Sequence, residues 1–272
     1  PLYFVLKWER ALGGSILAIN IMSVHMPYKF GRLIKLKSRV FAIVSLVVGL
    51  MASITVVNAE APLLAERVSA GALPPEAQRL PLRPLKIDLP ALGQTIGQQG
   101  GEIEILMASS KDTRMLTVYG YSRLVGFNPE LELHSDIALS VDIEEGRRFT
   151  FHLRPGHRWS DGRPFTSEDF RYFWEDIANN EMLSPFGLPE DLLVDGSPPR
   201  VDIIDRHTIR YEWRAPNPLF LPSLAGARPL YIYAPAHYLK QFHGKYVDPE
   251  KLEAMVDEAG VRNWAGLHTR YG

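Results

Sequence analysis

The stretch "FTFHLRPGHRWSDGRPFTSEDFRYFWEDI", Phe149 to Ile177, constrains the fold more than any other part of the chain. Phe149, Phe151 and Leu153 alternate with other residues at the period of a strand with one buried face. Asp161-Gly162, followed by Pro164, is a tight-turn pair. Thr166 stands where a helix N-cap belongs, with a hydroxyl that can take an orphan backbone N–H. Glu168 and Asp169 put negative charge into the first helical turn, where the helix dipole favours it. Phe170, Phe173, Trp174 and Ile177 fall at i, i+3, i+4 and i+7, an apolar stripe that leaves Glu175 and Asp176 off it, and Asn179-Asn180 suits the end. The predicted unit is a strand, a turn and a capped amphipathic helix.

Two hairpins flank that helix. In "ALSVDIEEGRRFTFHLRPG", Val141 and Ile143 oppose Phe149, Phe151 and Leu153 across the turn Glu145-Gly146. In "RVDIIDRHTIRYEWRAP", Val201 and Ile203 oppose Ile209, Tyr211 and Trp213 across Asp205-Arg206-His207. Upstream, "GGEIEILMA" predicts a strand through Ile103, Ile105 and Met107, and "DTRMLTVYGYSRLVGFNP" a helix or irregular segment closing at Asn128-Pro129. Downstream, "NPLFLPSLAGA" predicts a short helix stopped by Gly226 and "RPLYIYAP" a strand. "PAHYLKQFH" predicts a helix with Tyr238, Leu239 and Phe242 inward. "DPEKLEAMVDEAG" predicts a helix with Asp248 as cap, Pro249 at its first position and Gly260 as stop. "VRNWAGL" opens a further segment.

The N-terminal part carries an address. Residues 1–59 read as an upstream segment and a signal peptide: Lys29, Arg32, Lys35, Lys37 and Arg39 precede the uncharged "VFAIVSLVVGLMASITVV", and Val57 and Ala59 fit the small-residue cleavage pattern. The apolar run is about 17 residues, at the short limit for spanning a bilayer and diluted by Ser45, Gly49, Ser53 and Thr55, so cleavage near Ala59 is expected rather than anchoring. Residues 60–99, with Pro74, Pro75, Pro81, Pro84 and Pro90, read as an irregular Pro-rich lead-in. The folded domain is expected over 100–272.

Composition closes off several chemistries. With no cysteine among 272 residues there is no disulfide framework, thiolate metal site, cysteine nucleophile or lipid-bearing cysteine. A formal charge of -1 gives no reason to expect nucleic acid. Neither a G-x-S-x-G nor an H-E-x-x-H motif occurs. His152 and His157 lack carboxylates at ligand spacing, so no metal and no cofactor are expected. Trp159, Ser160 and Asp161 are each explained by a turn, and the Phe170–Trp174 stripe by core packing.

The phrase "FTFHLRPGHRWSDGRPFTSEDF", Phe149 to Phe170, resembles the family 5, oligopeptide-binding type of extracellular solute-binding proteins that serve ABC importers of peptides, nickel and related solutes. The Gly100-Gly101 strand start and the passage "YGYSRLVGFNPELELHSDIALSVDI" agree, so the resemblance covers roughly Gly100 to His243. It implies an α/β, periplasmic binding protein-like fold of type II, class C. That fold has two lobes; only the N-terminal part is expected here, lobe one with its inserted subdomain. The implied role is that of a non-enzymatic, monomeric receptor in a Gram-negative periplasm, handing a peptide or small solute to the transmembrane subunits of an ABC permease. Such a receptor needs a cleft with aromatic walls and a few fixed polar groups, not an acid–base pair. Ligands gather beyond the carboxyl ends of strands in open α/β sheets, which after the first expected strand points to Ser109, Arg114, Tyr119 and Tyr121 as ligand-binding residues. The rival readings are a secreted hydrolase on a binding-protein-like scaffold, which would need a nucleophile–base pair, and a membrane-anchored sensory or structural domain.

Overall fold

The structure, a computed structural model, describes residues 2–7, 20–25, 60–98, 100–102, 104, 106–109, 112, 122–226 and 229–272. It divides into two compact units, Pro1–Val57 and Asn58–Gly272. In the first, β1 (Leu2–Lys7) and β2 (Asn20–His25) pair antiparallel from Leu2↔His25 to Lys7↔Asn20. The apolar stretch 41–57 lies outside the described residues. Among those described, no helix is long and apolar enough to cross a membrane.

The second unit begins with more helix than its prolines suggest. Helix α1 (Pro62–Ser69) and the single turn α2 (Glu76–Arg79) interrupt the lead-in expected to be irregular. Pro62 occupies the first turn of α1, where the missing N–H has no helical partner to lose. The lead-in then docks just past the strand that ends at Leu153. Leu82 N–H donates to the Pro155 carbonyl at 3.0 Å, and the buried Arg154 guanidinium donates to the carbonyls of Arg83 at 2.7 Å and Asp136 at 2.9 Å. Gly156, at φ +82°, turns the chain beneath Leu82, whose backbone lies 3.5 Å from where a Cβ would sit.

Glu104, Leu106 and Met107 have no strand pairing, contrary to the expected first strand, and Ile103 and Ile105 lie outside the described residues. Alternation alone does not make a strand where no partner supplies a ladder, and Leu106 is wholly exposed. The 112–129 passage, expected to be helical or irregular, ends instead as an arm of a small hairpin, β3 (Val125–Phe127) against β4 (Leu133–Ser135), across Asn128-Pro129.

The two expected hairpins form and merge. β5 (Ala138–Glu144) pairs with β6 (Arg148–Leu153), and β7 (Arg200–Asp205) with β8 (Thr208–Glu212). β6 and β8 pair with each other, giving one antiparallel sheet in the order β5-β6-β8-β7. In the first turn Glu145 and Gly146 both have positive φ, as a type I′ turn requires, and Arg147 N–H closes on the Glu144 carbonyl at 3.1 Å. The register sets Val141, Phe151, Ile209 and Ile203 in one row and Ile143, Phe149, Tyr211 and Val201 in the next. Against this face packs α4 (Phe220–Ala225), whose Phe220 ring lies 4.7 Å from Trp213 and 5.2 Å from Phe149. Each such ring, fully buried, contributes about 1.5–3 kcal/mol. The opposite face is a charge ladder: Arg148 bridges Glu144 and Glu212, and Arg200 reaches Glu212 from the edge.

Between the hairpins runs α3 (Ser167–Tyr172), which continues as a π-helix over Phe173–Ala178. Thr166 and Asp169 form a capping box at its start. The wider π turn re-aims the faces after residue 172. Asp176, expected off the apolar stripe, is therefore buried, while Phe173, Trp174 and Ile177 are only half-buried. Residues 229–235, expected as a strand, join no sheet: Leu230 N–H donates to the Ser223 carbonyl and Ala234 N–H to that of Asp169. α5 (Ala236–Leu239) follows, with Leu239 buried but Tyr238 exposed rather than inward. α6 (Pro249–Ala259) has the expected Asp248 cap and left-handed Gly260 stop. α7 (Trp264–Tyr271) is capped by Asn263, which accepts Gly266 N–H at 2.9 Å.

Candidate functional site

The block from 149 to 177 is held by its own turns and caps. Gly162, at φ +84°, closes on the Trp159 carbonyl at 2.9 Å, and Asp161 Oδ1 accepts Arg163 N–H at the same distance. Trp159 packs edge-on against Phe165 at 5.4 Å and tilts over Tyr233 at 6.1 Å. Asp169 is buried; one oxygen accepts Thr166 N–H at 2.9 Å and the other Ala236 N–H at 3.1 Å. Burial pushes its carboxyl up from the usual value, and those two N–H groups pull the other way. Asp161 and Asp169 are thereby occupied with structure, whereas the buried Trp159 Nε1 and His157 Nδ1 have no hydrogen-bond partner among the described residues. Asp161 has a partner the sequence did not suggest, His237 Nε2 at 2.6 Å, brought alongside by α5.

The histidines of the sheet region likewise serve packing and pairing. His152 lies on the outer face and meets Asp142 at 2.9 Å. His157 is half-buried beside Phe165, and burial lowers its pKa. No group of three or more His, Asp or Glu side chains that could hold a metal occurs among the described residues.

Of the four expected ligand-binding residues, Ser109 alone lies within the described residues. It is half-buried in a short turn, its N–H donating to Asp112 Oδ2 at 3.1 Å and its carbonyl accepting Asp112 N–H at 2.9 Å. Arg114, Tyr119 and Tyr121 lie outside them. The parallel-sheet argument that pointed to these positions does not extend to the described four-stranded sheet, which is antiparallel throughout.

Two aromatic surfaces were not singled out from the sequence. Tyr231 and Tyr233 stand with Arg123, Leu124, Leu224 and Leu230 around a shallow concavity. Their rings meet at 90°, 6.1 Å apart, on the side of the 229–235 segment opposite the buried Ile232. The alternation predicts a strand from sequence, and the structure makes it two rings at the edge of a concavity instead. Phe186, at the turn closed by Gly187 N–H on the Ser184 carbonyl, is 99% exposed. A larger groove of about 450 Å³ runs along Arg163, Thr166, Glu168, Arg206 and Lys240, but its charges are partly spent, Lys240 pairing with Glu168 at 2.6 Å.

Comparison with known proteins places this arrangement among solute-binding proteins. Residues 132–252 match the family described as bacterial extracellular solute-binding proteins, family 5 Middle. The chain is similar to the periplasmic alpha-galactoside-binding protein of Rhizobium meliloti (strain 1021), 28% identical over 210 residues, 66% of this chain and 28% of that protein. It is similar to the periplasmic oligopeptide-binding protein OppA of Escherichia coli (strain K12), 30% identical over 130 residues, 43% of this chain and 23% of that protein. Among solved structures, an oligopeptide-binding protein OppA superimposes with a TM-score of 0.65 at 32% identity, covering 77% of this chain and 32% of that one. The chain thus spans under a third of the length of these relatives, which are solute-binding proteins rather than enzymes. Residues 132–252 thus resemble the bacterial extracellular solute-binding proteins of family 5, and the fold is that of a part of a periplasmic binding protein.

Proposed function

We propose that this chain is the N-terminal part of the periplasmic receptor of an ABC importer, taking peptides or related small solutes and passing them to the transmembrane subunits of the permease. The observation that carries the reading is the likeness to OppA across 77% of the chain. It is supported by a block in which Asp161 holds a turn, Asp169 a helix cap and His152 a pair with Asp142 on the neighbouring strand. On this reading residues 1–59 contain a signal peptide cleaved near Ala59, residues 60–99 lead in, and residues 100–272 are lobe one with its inserted subdomain. The protein works as a monomer without catalysis. Ser109, Arg114, Tyr119 and Tyr121 line the solute side, joined by the exposed rings of Tyr231 and Phe186. Exposed aromatics beside a few polar groups are what a tolerant solute wall requires.

The test is a thermal-shift screen of the exported full-length protein against a tri- to pentapeptide pool and against raffinose. A rise in Tm with peptides supports the reading, and a rise with raffinose alone moves the solute class to sugars. No shift with either overturns it. N-terminal sequencing of the exported protein places the cleavage, with Glu60 the expected first residue.

A further inference from the structure

Two imidazoles are buried where α7 meets the rest of the unit. His268, on α7, is 4% exposed and His243 is 2% exposed, their rings 5.7 Å apart at 80°. His268 Nε2 lies 2.8 Å from the Tyr172 hydroxyl, a contact linking α7 to α3 across 96 positions. Both nitrogens of His243 are in use: Nε2 donates to the Asp176 carbonyl at 3.0 Å and Nδ1 accepts Lys245 N–H at 3.0 Å. That pattern fixes His243 as the neutral Nε2–H tautomer. Around the pair stand Tyr172, Arg171 and Asp176 from the α3/π-helix, Lys240, Lys245 and Tyr246 from the segment after α5, and the Trp264 ring 4.7 Å from His243. On α7 itself, Arg270 turns away to the Ala259 carbonyl. The nearby carboxylate, Asp176, is already shared by Lys245 at 2.7 Å, Tyr246 at 2.6 Å and Arg171 at 3.2 Å.

We propose that His268, packed against His243, is an acid-operated latch on α7. Neutral, it holds α7 against α3; once a proton is added, α7 opens locally while the sheet and its core stay folded. The added charge would sit in a buried, largely aromatic pocket against a second imidazole, where the one nearby side-chain carboxylate among the described residues, Asp176, is already shared. Burial, and then the neighbouring His243, lower the pKa of His268 to about 4. The sign follows: the folded form resists a proton that the open form accepts at the ordinary histidine value of 6.5, so the latch is intact above that pH and is lost as pH falls toward about 4.

Amide hydrogen exchange on the full chain between pH 7.5 and 4, corrected for intrinsic exchange, reads the opening. The opening constant of the 267–271 amides is expected to be flat above pH 6.5 and then to rise by up to about tenfold per pH unit. Amides of Phe149, Phe151, Ile209 and Tyr211 in the sheet are expected to show no matching rise. His268→Gln, which keeps a hydrogen-bonding group for Tyr172 without the titration, is expected to flatten the α7 profile. α7 protection that is unchanged down to pH 4, or that falls only in step with the sheet, overturns the latch. So does an acid-driven rise that survives in the variant. Should the variant not fold, the wild-type His268 imidazole decides by NMR: a midpoint near 4 that tracks α7 opening supports the latch, and one near 6.5 sinks it.

Discussion

Asp169 and Ala236 meet across 67 positions, the carboxylate accepting the Ala236 N–H at 3.1 Å while its other oxygen caps α3 through Thr166. One side chain thus fixes both the start of the helix and the entry to α5. Asp169→Ala leaves two N–H groups without their partner in a buried place. The expected loss is roughly 2–4 kcal/mol, combining a lost cap with an unsatisfied donor. Asp169→Asn keeps acceptor capacity on one oxygen only and should fall in between. Urea unfolding midpoints at constant m-value check this; a loss below about 0.5 kcal/mol for the alanine variant would refute the double role.

Glu145 sits at φ +54° in the type I′ turn before Gly146, where a side chain with a Cβ is strained and asparagine is favoured. Its exposed pair with Arg147, at 2.7 Å, returns less than about 1 kcal/mol. Glu145→Asn is therefore expected to raise stability by about 0.5 kcal/mol. A drop in Tm in differential scanning calorimetry would mean that the ion pair outweighs the backbone strain.

Local rules made the block at 149–177 readable before any coordinates. The Thr166 cap, the Asp161-Gly162 turn and both hairpins depend on residues within a few positions of one another, and each formed as expected. What the sequence hid was longer in range. That β6 and β8 pair, merging two hairpins into one sheet, is decided across the whole helix and loop between them. The burial of Asp176 follows from a π-helical turn that side-chain periodicity does not announce, and from Lys245 and Tyr246 arriving some 70 positions later. The strand pattern of 229–235 was real as alternation, yet its backbone is claimed by Ser223 and Asp169. Ligand-facing residues were the least legible. Position on a fold suggested Ser109 and its neighbours, and nothing local distinguishes a side chain that faces solute from one that faces water.

Phe220 joins Phe149, Phe151, Tyr211 and Trp213 with ring centroids between 4.7 and 6.0 Å. It is fully buried. Phe220→Ala is expected to cost about 3–5 kcal/mol, from lost transfer energy plus the cavity left among rings that cannot close over it. Phe220→Leu should cost less than half of that. Equal losses for the two variants would show that the rings relax into the space.

Glu168 is held at about 2, chiefly by Arg171 and further by Lys240, against an ordinary value of 4.5. Its folded pKa is depressed, so its contribution is complete above pH 4.5 and disappears as pH falls through about 2. The side chain is 45% exposed, and solvent screening keeps the effect small. Glu168→Gln is expected to be the less stable protein at pH 7, with the gap closing between pH 4.5 and 2. A gap that stays constant on acid titration would assign the loss to packing instead of charge.

Arg114 is the cation among the four proposed solute-facing residues, and a free peptide carboxylate is the group it suits. A charge-assisted hydrogen bond of this kind is worth about 1.5–3 kcal/mol, or roughly ten- to a hundredfold in affinity. In the full-length receptor, Arg114→Ala should therefore weaken binding of a peptide with a free C-terminus by that factor and leave its C-terminally amidated counterpart nearly unchanged. Isothermal titration of both peptides against both proteins forms a double-mutant cycle that isolates the pair from any general loss of fold. Equal weakening of the two peptides would remove Arg114 from the carboxylate. With Tm unchanged in the variant, it would leave Tyr119 and Tyr121 as the residues to test next.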